Sequence, residues 1–277
     1  MIKTDIHKVN REGSLCFITF PIFQKFPEVR HAFTTRHGGV STGYFGKMNL
    51  SFNTGDNRDT VKQNYAIICN AMGIDEKTIV LSRQTHTANV LAVGKEHLGT
   101  GIFKEYDYND IDALITNQSG VTLVTHSADC CILAFYDPIH RVIASAHAGW
   151  RGTVAEIGKA TVEKMAEQYG TKPDDIIAAL APSIGPCCYE VDTPVYNEFS
   201  KLKYLDLSQI FSDKGGGKYM LNLWQANRQI LIHSGILPRN IEITDVCTNC
   251  QSEHFHSHRA TGGKRGVNGL IMQLIGD

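Results

Sequence analysis

Three short segments of this 277-residue chain carry side chains able to ligate a borderline metal ion. They are Ser82-Arg83-Gln84-Thr85-His86-Thr87, Ser127-Ala128-Asp129-Cys130-Cys131 and Ala146-His147-Ala148-Gly149-Trp150-Arg151-Gly152, each beside an apolar run. Two histidines and one cysteine suit a tetrahedral zinc ion, and three protein ligands leave one position for water or substrate. Such an ion brings the pKa of a bound water to about 7, so hydroxide forms near neutral pH. Spacing alone does not select this trio. A histidine after a strand is commonly a satisfied polar residue, and a single cysteine is commonly buried and inert. The same residues also fit a cysteine hydrolase or deamidase, with Cys130 as nucleophile and His147 as base. A non-catalytic interaction module with a closed structural zinc draws on them too.

The elements that must position these segments are read from hydrophobic pattern. Apolar, β-branched runs predict strands at Ile79–Leu81, Thr122–Thr125, Ile132–Tyr136, Val142–Ala146 and Ile241–Val246, with others at Cys16–Phe20, Val29–Thr34 and Gly269–Leu274. Helices are expected over Asp59–Met72, opened by an aspartate cap, and over Thr153–Tyr169, Pro194–Leu202 and Leu223–His233. Strands outnumber helices without strict βαβ alternation, which predicts an α+β fold of mixed sheets covered by helices. No glycine-rich stretch reads as a linker, so residues 1–277 are expected to form a single domain.

Composition narrows the function classes. Apolar residues make up 42% and charged residues 20%, which excludes disorder. A net charge of -1 without a basic stripe argues against nucleic acid as a partner. No apolar run approaches bilayer thickness, so no membrane partner is expected. Leu15–Phe23 contains Thr19 and Pro21 and lacks a small-residue cleavage pattern, which argues against a signal peptide. The eight cysteines, with two vicinal pairs, then read as reduced thiols of a cytoplasmic protein. Cys247-x-x-Cys250 looks like half of a zinc knuckle, but no second CxxC accompanies it. The vicinal Cys187-Cys188 reads as packed near the site rather than ligating.

Taken together, these segments resemble the YfiH-type family, also called the multicopper polyphenol oxidoreductase or laccase-domain family. The resemblance runs through Phe33-Thr34-Thr35-Arg36-His37-Gly38-Gly39, Gln84-Thr85-His86, Ala128-Asp129-Cys130 and His147-Ala148-Gly149-Trp150-Arg151-Gly152. It continues at Ile184-Gly185-Pro186-Cys187-Cys188-Tyr189-Glu190-Val191, Asn222-Leu223-Trp224-Gln225-Ala226-Asn227 and Phe255-His256-Ser257-His258-Arg259. It implies a four-layer α-β-β-α architecture and a metal, Zn2+ or else Cu2+, on His86, Cys130 and His147. It also implies a purine nucleoside phosphorylase acting on adenosine, inosine, guanosine or methylthioadenosine, with adenosine deaminase activity, as a monomer or homodimer. The older family name implies copper-dependent phenol oxidation, for which His254, His256 and His258 would have to join the site. The chain departs from the common Gln-Val-His-Gly at Thr85 and Thr87, and from Phe-Phe-Ser-Tyr-Arg-Arg at His256, His258 and Ala260.

Phosphorolysis needs an anion site beside the nucleoside. Arg151 at an expected helix start is the first candidate, because exposed N–H groups and a guanidinium fork both suit phosphate. Arg36 and Arg259, each near a glycine-rich loop, are the other expected substrate contacts. Asp129 is the carboxylate nearest in sequence, either as a proton shuttle or as the residue that orients a ligating histidine. Trp150 and Trp224 are candidates for stacking on a purine.

Overall fold

Apolar runs that alternate with tight turns can hide both of their faces only between other layers, and here they lie between helices and a second sheet. The computed structural model describes residues 8–276. The first half of the chain forms β1 (Lys8–Glu12), β2 (Leu15–Thr19), α1 (Pro21–Gln24), β3 (Val29–Thr34) and α2 (Arg58–Met72). These are followed by β4 (Ile79–Leu81), β5 (Val90–Ala92), β6 (Ala113–Thr116), β7 (Thr122–Ser127), β8 (Cys131–Asp137) and β9 (Val142–Ala148). Next come α3 (Trp150–Val154), α4 (Ile157–Tyr169), β10 (Ile177–Leu180), β11 (Glu190–Asp192), α5 (Thr193–Phe199) and α6 (Leu207–Ile210). The last elements are β12 (Phe211–Gly215), β13 (Lys218–Leu221), α7 (Leu223–His233), β14 (Ile241–Ile243), α8 (His258–Thr261) and β15 (Asn268–Leu274).

Two six-stranded mixed sheets result, in the orders β1-β2-β3-β15-β7-β4 and β14-β10-β8-β9-β6-β5, with a small third sheet β11-β13-β12. Phe33, Leu123 and Leu270 of the first sheet meet Leu114, Ile132 and Ile143 of the second in a shared core. The outer face of the second sheet carries Leu133, Phe135 and Ala144 against Ile157 and Met165 of α4 and Ile230 and Leu231 of α7. Val61, Tyr65 and Ile68 of α2 cover Ala32, Val124 and Ile271 on the outer face of the first. The layering is therefore α-β-β-α. Strands β8 and β9 are buried along their whole length, which is why their sequences run apolar instead of alternating. The two sheets also share one buried polar tie, Ser145 Oγ donating to Thr125 Oγ1 at 2.8 Å.

Several elements differ from expectation. The helix predicted over Thr153–Tyr169 begins at Trp150 and breaks after Val154, because Glu156 takes a left-handed conformation at φ 60°. The cap of α2 is Asn57, whose side chain accepts from the N–H groups of Asp59 and Thr60, so Asp59 lies in the first turn. Strands β1 and β12 carry too many polar and charged residues to show an apolar pattern, and neither they nor the short β11 and β13 were anticipated. Among the described residues no helix is long and apolar enough to cross a membrane.

Candidate metal centre

The chain crosses from the first sheet to the second twice, between β4 and β5 and between β7 and β8, and both crossings come to the end where β9 finishes. His86 lies in the first crossing, Cys130 in the second, and His147 near the end of β9. Their ligating atoms all lie within 4.8 Å of one another. His86 Nε2 is 4.0 Å from Cys130 Sγ, and the two imidazoles sit edge to face with centroids 4.7 Å apart.

One carboxylate that the sequence reading missed organises this trio. Asp112 is fully buried, and its Oδ1 lies 2.8 Å from His147 Nδ1, which leaves Nε2 for the centre. The same oxygen accepts from the His86 backbone N–H at 3.0 Å. Oδ2 accepts from the N–H groups of Thr85 and Thr87 at 3.1 and 2.7 Å and from Thr87 Oγ1 at 2.9 Å. Asp112 therefore fixes the ring of one ligand and the backbone of the other. Burial would raise its pKa, but the bonds from His147, Thr87 and Thr85 hold it at about 2. Burial likewise opposes ionisation of Cys130, yet His147 and His86 draw the thiol down to about 6. His147 shifts the other way, to about 9, because Cys130 and Asp112 outweigh its burial.

Close approach and local strain surround the ligands. A Cβ on Gly149 would stand 2.9 Å from Cys130 Sγ and 3.0 Å from His86 Cδ2, so glycine alone fits there. His86 and Asp129 both adopt positive φ, 68° and 86°, which non-glycine residues hold only when their surroundings enforce it. For Asp129 the enforcement is visible. Its carboxylate accepts from Thr248 Oγ1 at 2.6 Å, Ser257 Oγ at 3.0 Å and the Arg259 N–H at 2.7 Å.

The trio opens onto a cavity of about 490 Å³, within the size range of small-molecule sites. Phe52, Phe103 and Tyr106 supply aromatic surface there, and Arg58, Arg83 and Arg265 supply positive charge. Arg265 stands out, since its Nε is buried without a partner and burial lowers its pKa. Its Nη1 donates to the Gly266 carbonyl at 3.2 Å.

The remaining expected site residues are placed elsewhere. Asp129 bonds to Thr248, Ser257 and Arg259, and the histidine-orienting role falls to Asp112. Arg36 donates to the carbonyls of Gly46 and Ser252, both at 2.9 Å, away from the cavity walls. Arg259 donates to the carbonyls of Cys188 and Glu190 at 3.3 and 3.0 Å, which makes it a brace between loops. Arg151 is exposed, lies 4.3 Å from the centroid of the Trp150 ring, and is the second residue of a five-residue helix, too short for a substantial dipole. Trp224 is buried with its indole N–H on Ser183 Oγ, and Trp150 packs on the helix-side core, so neither faces the cavity. His254 pairs with His37, and His256 is buried against the Met48 carbonyl. Two of the three histidines that a multicopper cluster would require, His254 and His256, are thus engaged apart from the trio. A second group able to hold an ion occurs among the described residues: Cys187, Cys188, Cys247 and Cys250. The vicinal pair therefore meets the CxxC segment, a juxtaposition the sequence reading did not anticipate.

The chain and its fold are similar to several known proteins. A family model described as multi-copper polyphenol oxidoreductase laccase matches residues 30–276. The chain is 36% identical over 256 residues to purine nucleoside phosphorylase YlmD of Bacillus subtilis, spanning 91% of this chain and 90% of that protein. It is 33% identical over 247 residues to adenosine deaminase RL5 of an unknown prokaryotic organism, spanning 88% and 94%. The crystal structure of the Bacillus licheniformis hypothetical protein YfiH matches with a TM-score of 0.91 at 31% identity, over 98% of this chain and 99% of that one.

Proposed function

We propose, on the premise that this chain belongs to the multi-copper polyphenol oxidoreductase laccase family, that it is a metal-dependent enzyme of purine nucleosides. It cleaves adenosine, inosine, guanosine or methylthioadenosine with phosphate to the base and ribose 1-phosphate, and it deaminates adenosine in the same pocket. The observation that carries this reading is a three-ligand cluster opening on a cavity walled by both aromatic rings and arginines. The names of the phosphorylase and deaminase relatives support it.

The donor set fits a divalent ion. One thiol with a depressed pKa and two imidazoles, one oriented by a carboxylate, are suited to Zn2+, and imidazole also suits copper. When bound by His86, Cys130 and His147, such an ion supplies Lewis acidity. The chain's own residues supply the rest. Phe52, Phe103 and Tyr106 offer faces on which a purine stacks. Arg265, half-buried with its Nε short of a partner, and Arg83 on the same cavity wall would hold phosphate oxygens. Phosphorolysis breaks the bond from the base to C1 of ribose, whereas deamination occurs at C6 of the purine, several ångströms away. Adenosine therefore binds in two orientations, with phosphate favouring cleavage.

Chromatography of adenosine incubated with metal-loaded protein tests the reading. Adenine and ribose 1-phosphate should form only with phosphate, and inosine should form without it. Absence of both products from every purine nucleoside would overturn the assignment.

A further inference from the structure

We propose that Cys187, Cys188, Cys247 and Cys250 form a second, closed metal site that takes zinc through four thiolates and braces the catalytic end of the fold. The four sulfurs lie within 4.8 Å of one another. Cys250 Sγ is 3.4 Å from Cys187 Sγ and 3.3 Å from Cys188 Sγ. Zinc–sulfur bonds of about 2.3 Å in a tetrahedron set neighbouring sulfurs roughly 3.8 Å apart. The sulfur separations here, from 3.3 Å up to no more than 4.8 Å, lie around that value.

The loops around the sulfurs are built for it. Cys247 Sγ accepts two backbone N–H groups, from Gly185 at 3.2 Å and from Cys250 at 3.5 Å. Both donors converge on the one sulfur of the four that is buried, which fixes its position in the cluster. The second of these bonds closes the Cys-x-x-Cys turn on itself, the spacing that presents two sulfurs to one ion. The other pair is delivered by chain contacts: Ser183 bridges Cys247, and the Thr248 N–H reaches the Ser183 carbonyl at 3.0 Å. Gly185 permits the approach, since a Cβ there would lie 2.8 Å from Trp224 and 3.2 Å from Cys247 Cβ.

Disulfides account for the arrangement less well. Cys250 stands almost equally far from two sulfurs and can bond only one, while adjacent cysteines rarely reach disulfide geometry. An ion uses all four at once. Four protein ligands leave no open position, which makes the site structural, and none of the four cysteines lines the cavity. Its position gives it work. Just beyond this loop, Ser257 and Arg259 hold Asp129 next to Cys130, and the Arg259 guanidinium ties back to the Cys188 carbonyl.

The test is metal analysis of protein purified anaerobically from zinc-supplemented medium, with no chelator. Wild type should hold two zinc ions per chain. Cys187→Ser/Cys250→Ser, at two exposed positions, should hold one, and Cys130→Ala should hold the other one. A wild type with a single ion that survives Cys187→Ser/Cys250→Ser would overturn the site. Alkylation of wild type, read by mass spectrometry, decides independently of how the variants fold. Added zinc should protect all four cysteines; four thiols that react equally fast with and without zinc, or a disulfide among them in the anaerobic protein, would refute it.

Discussion

The two sulfur-bearing clusters are neighbours through Asp129, yet they are held by different means. His86, Cys130 and His147 come from three separate stretches of chain, and a single buried carboxylate, Asp112, aligns two of them. Cys187, Cys188, Cys247 and Cys250 come from two loops, and backbone N–H groups converge on the buried sulfur. The first cluster mixes donor types and faces the cavity, whereas the second is all sulfur and lies off that cavity's walls. A site that must meet substrate needs an open position and a remote group to keep its ligands aligned. A site that only fastens loops needs neither.

The largest effect that separates the clusters is expected from Cys130→Ala. Nucleoside turnover should fall by about three orders of magnitude or more, the scale of losing electrostatic stabilisation at the reacting centre. His147→Ala should remove adenine and inosine formation together. Survival of either product at its original rate, measured by chromatography, would break the single-site account.

Asp112→Asn comes next. Replacing the carboxylate removes the charge that supports His147, so affinity for the ion should drop about 10–100-fold in metal-competition titrations. Cobalt bound at the four cysteines should keep its thiolate charge-transfer band. A loss of both sites together would show that the clusters are one cooperative unit.

Arg265→Ala should act on phosphate alone. Losing one charge-assisted contact of about 1.5–3 kcal/mol corresponds to a rise of roughly ten- to hundredfold in the phosphate needed for half-maximal phosphorolysis. Deamination and melting temperature should be nearly unchanged, because the Arg265 Nε has no partner and its Nη1 bonds the carbonyl of the adjacent Gly266 at 3.2 Å. A large melting loss with normal phosphate dependence would make Arg265 structural.

The smallest effect belongs to Glu242, which touches neither cluster. Its Oε2 accepts from the Ile22 N–H at 2.8 Å while Oε1 is buried without a partner, and burial raises its pKa to about 7. The folded state thus binds the proton more tightly than the unfolded chain does. Stability from this group is complete below about 4.5 and is lost as pH rises through about 7. Glu242→Gln keeps an acceptor for Ile22 and should raise the melting temperature by a few degrees at pH 8 and not at pH 4. Equal shifts at both pH values would assign the effect to packing. The ion content of both clusters should stay as in wild type.

Local pattern sufficed where an element's neighbours impose only polarity. Strands β8 and β9 and helix α7 were legible because continuous burial or a 3.6-residue stripe marks them directly. The family motifs likewise named His86, Cys130 and His147, which the fold brings together. Residues whose roles depend on where the chain crosses between sheets were not legible. Asp112 and Asp110 are two residues apart in the same stretch, and only the register of β6 beside β9 sends one of them to His147. The Gly262–Gly266 loop does lie at the cavity, but Arg265 lines it while Arg259 turns back to Cys188 and Glu190. Cys187-Cys188 and Cys247-x-x-Cys250 are about sixty positions apart, and no local periodicity links them. Side-chain type and spacing declare which chemistry a residue is able to perform. Which atoms meet is set by long-range strand register and crossings, for which a linear pattern holds no distance.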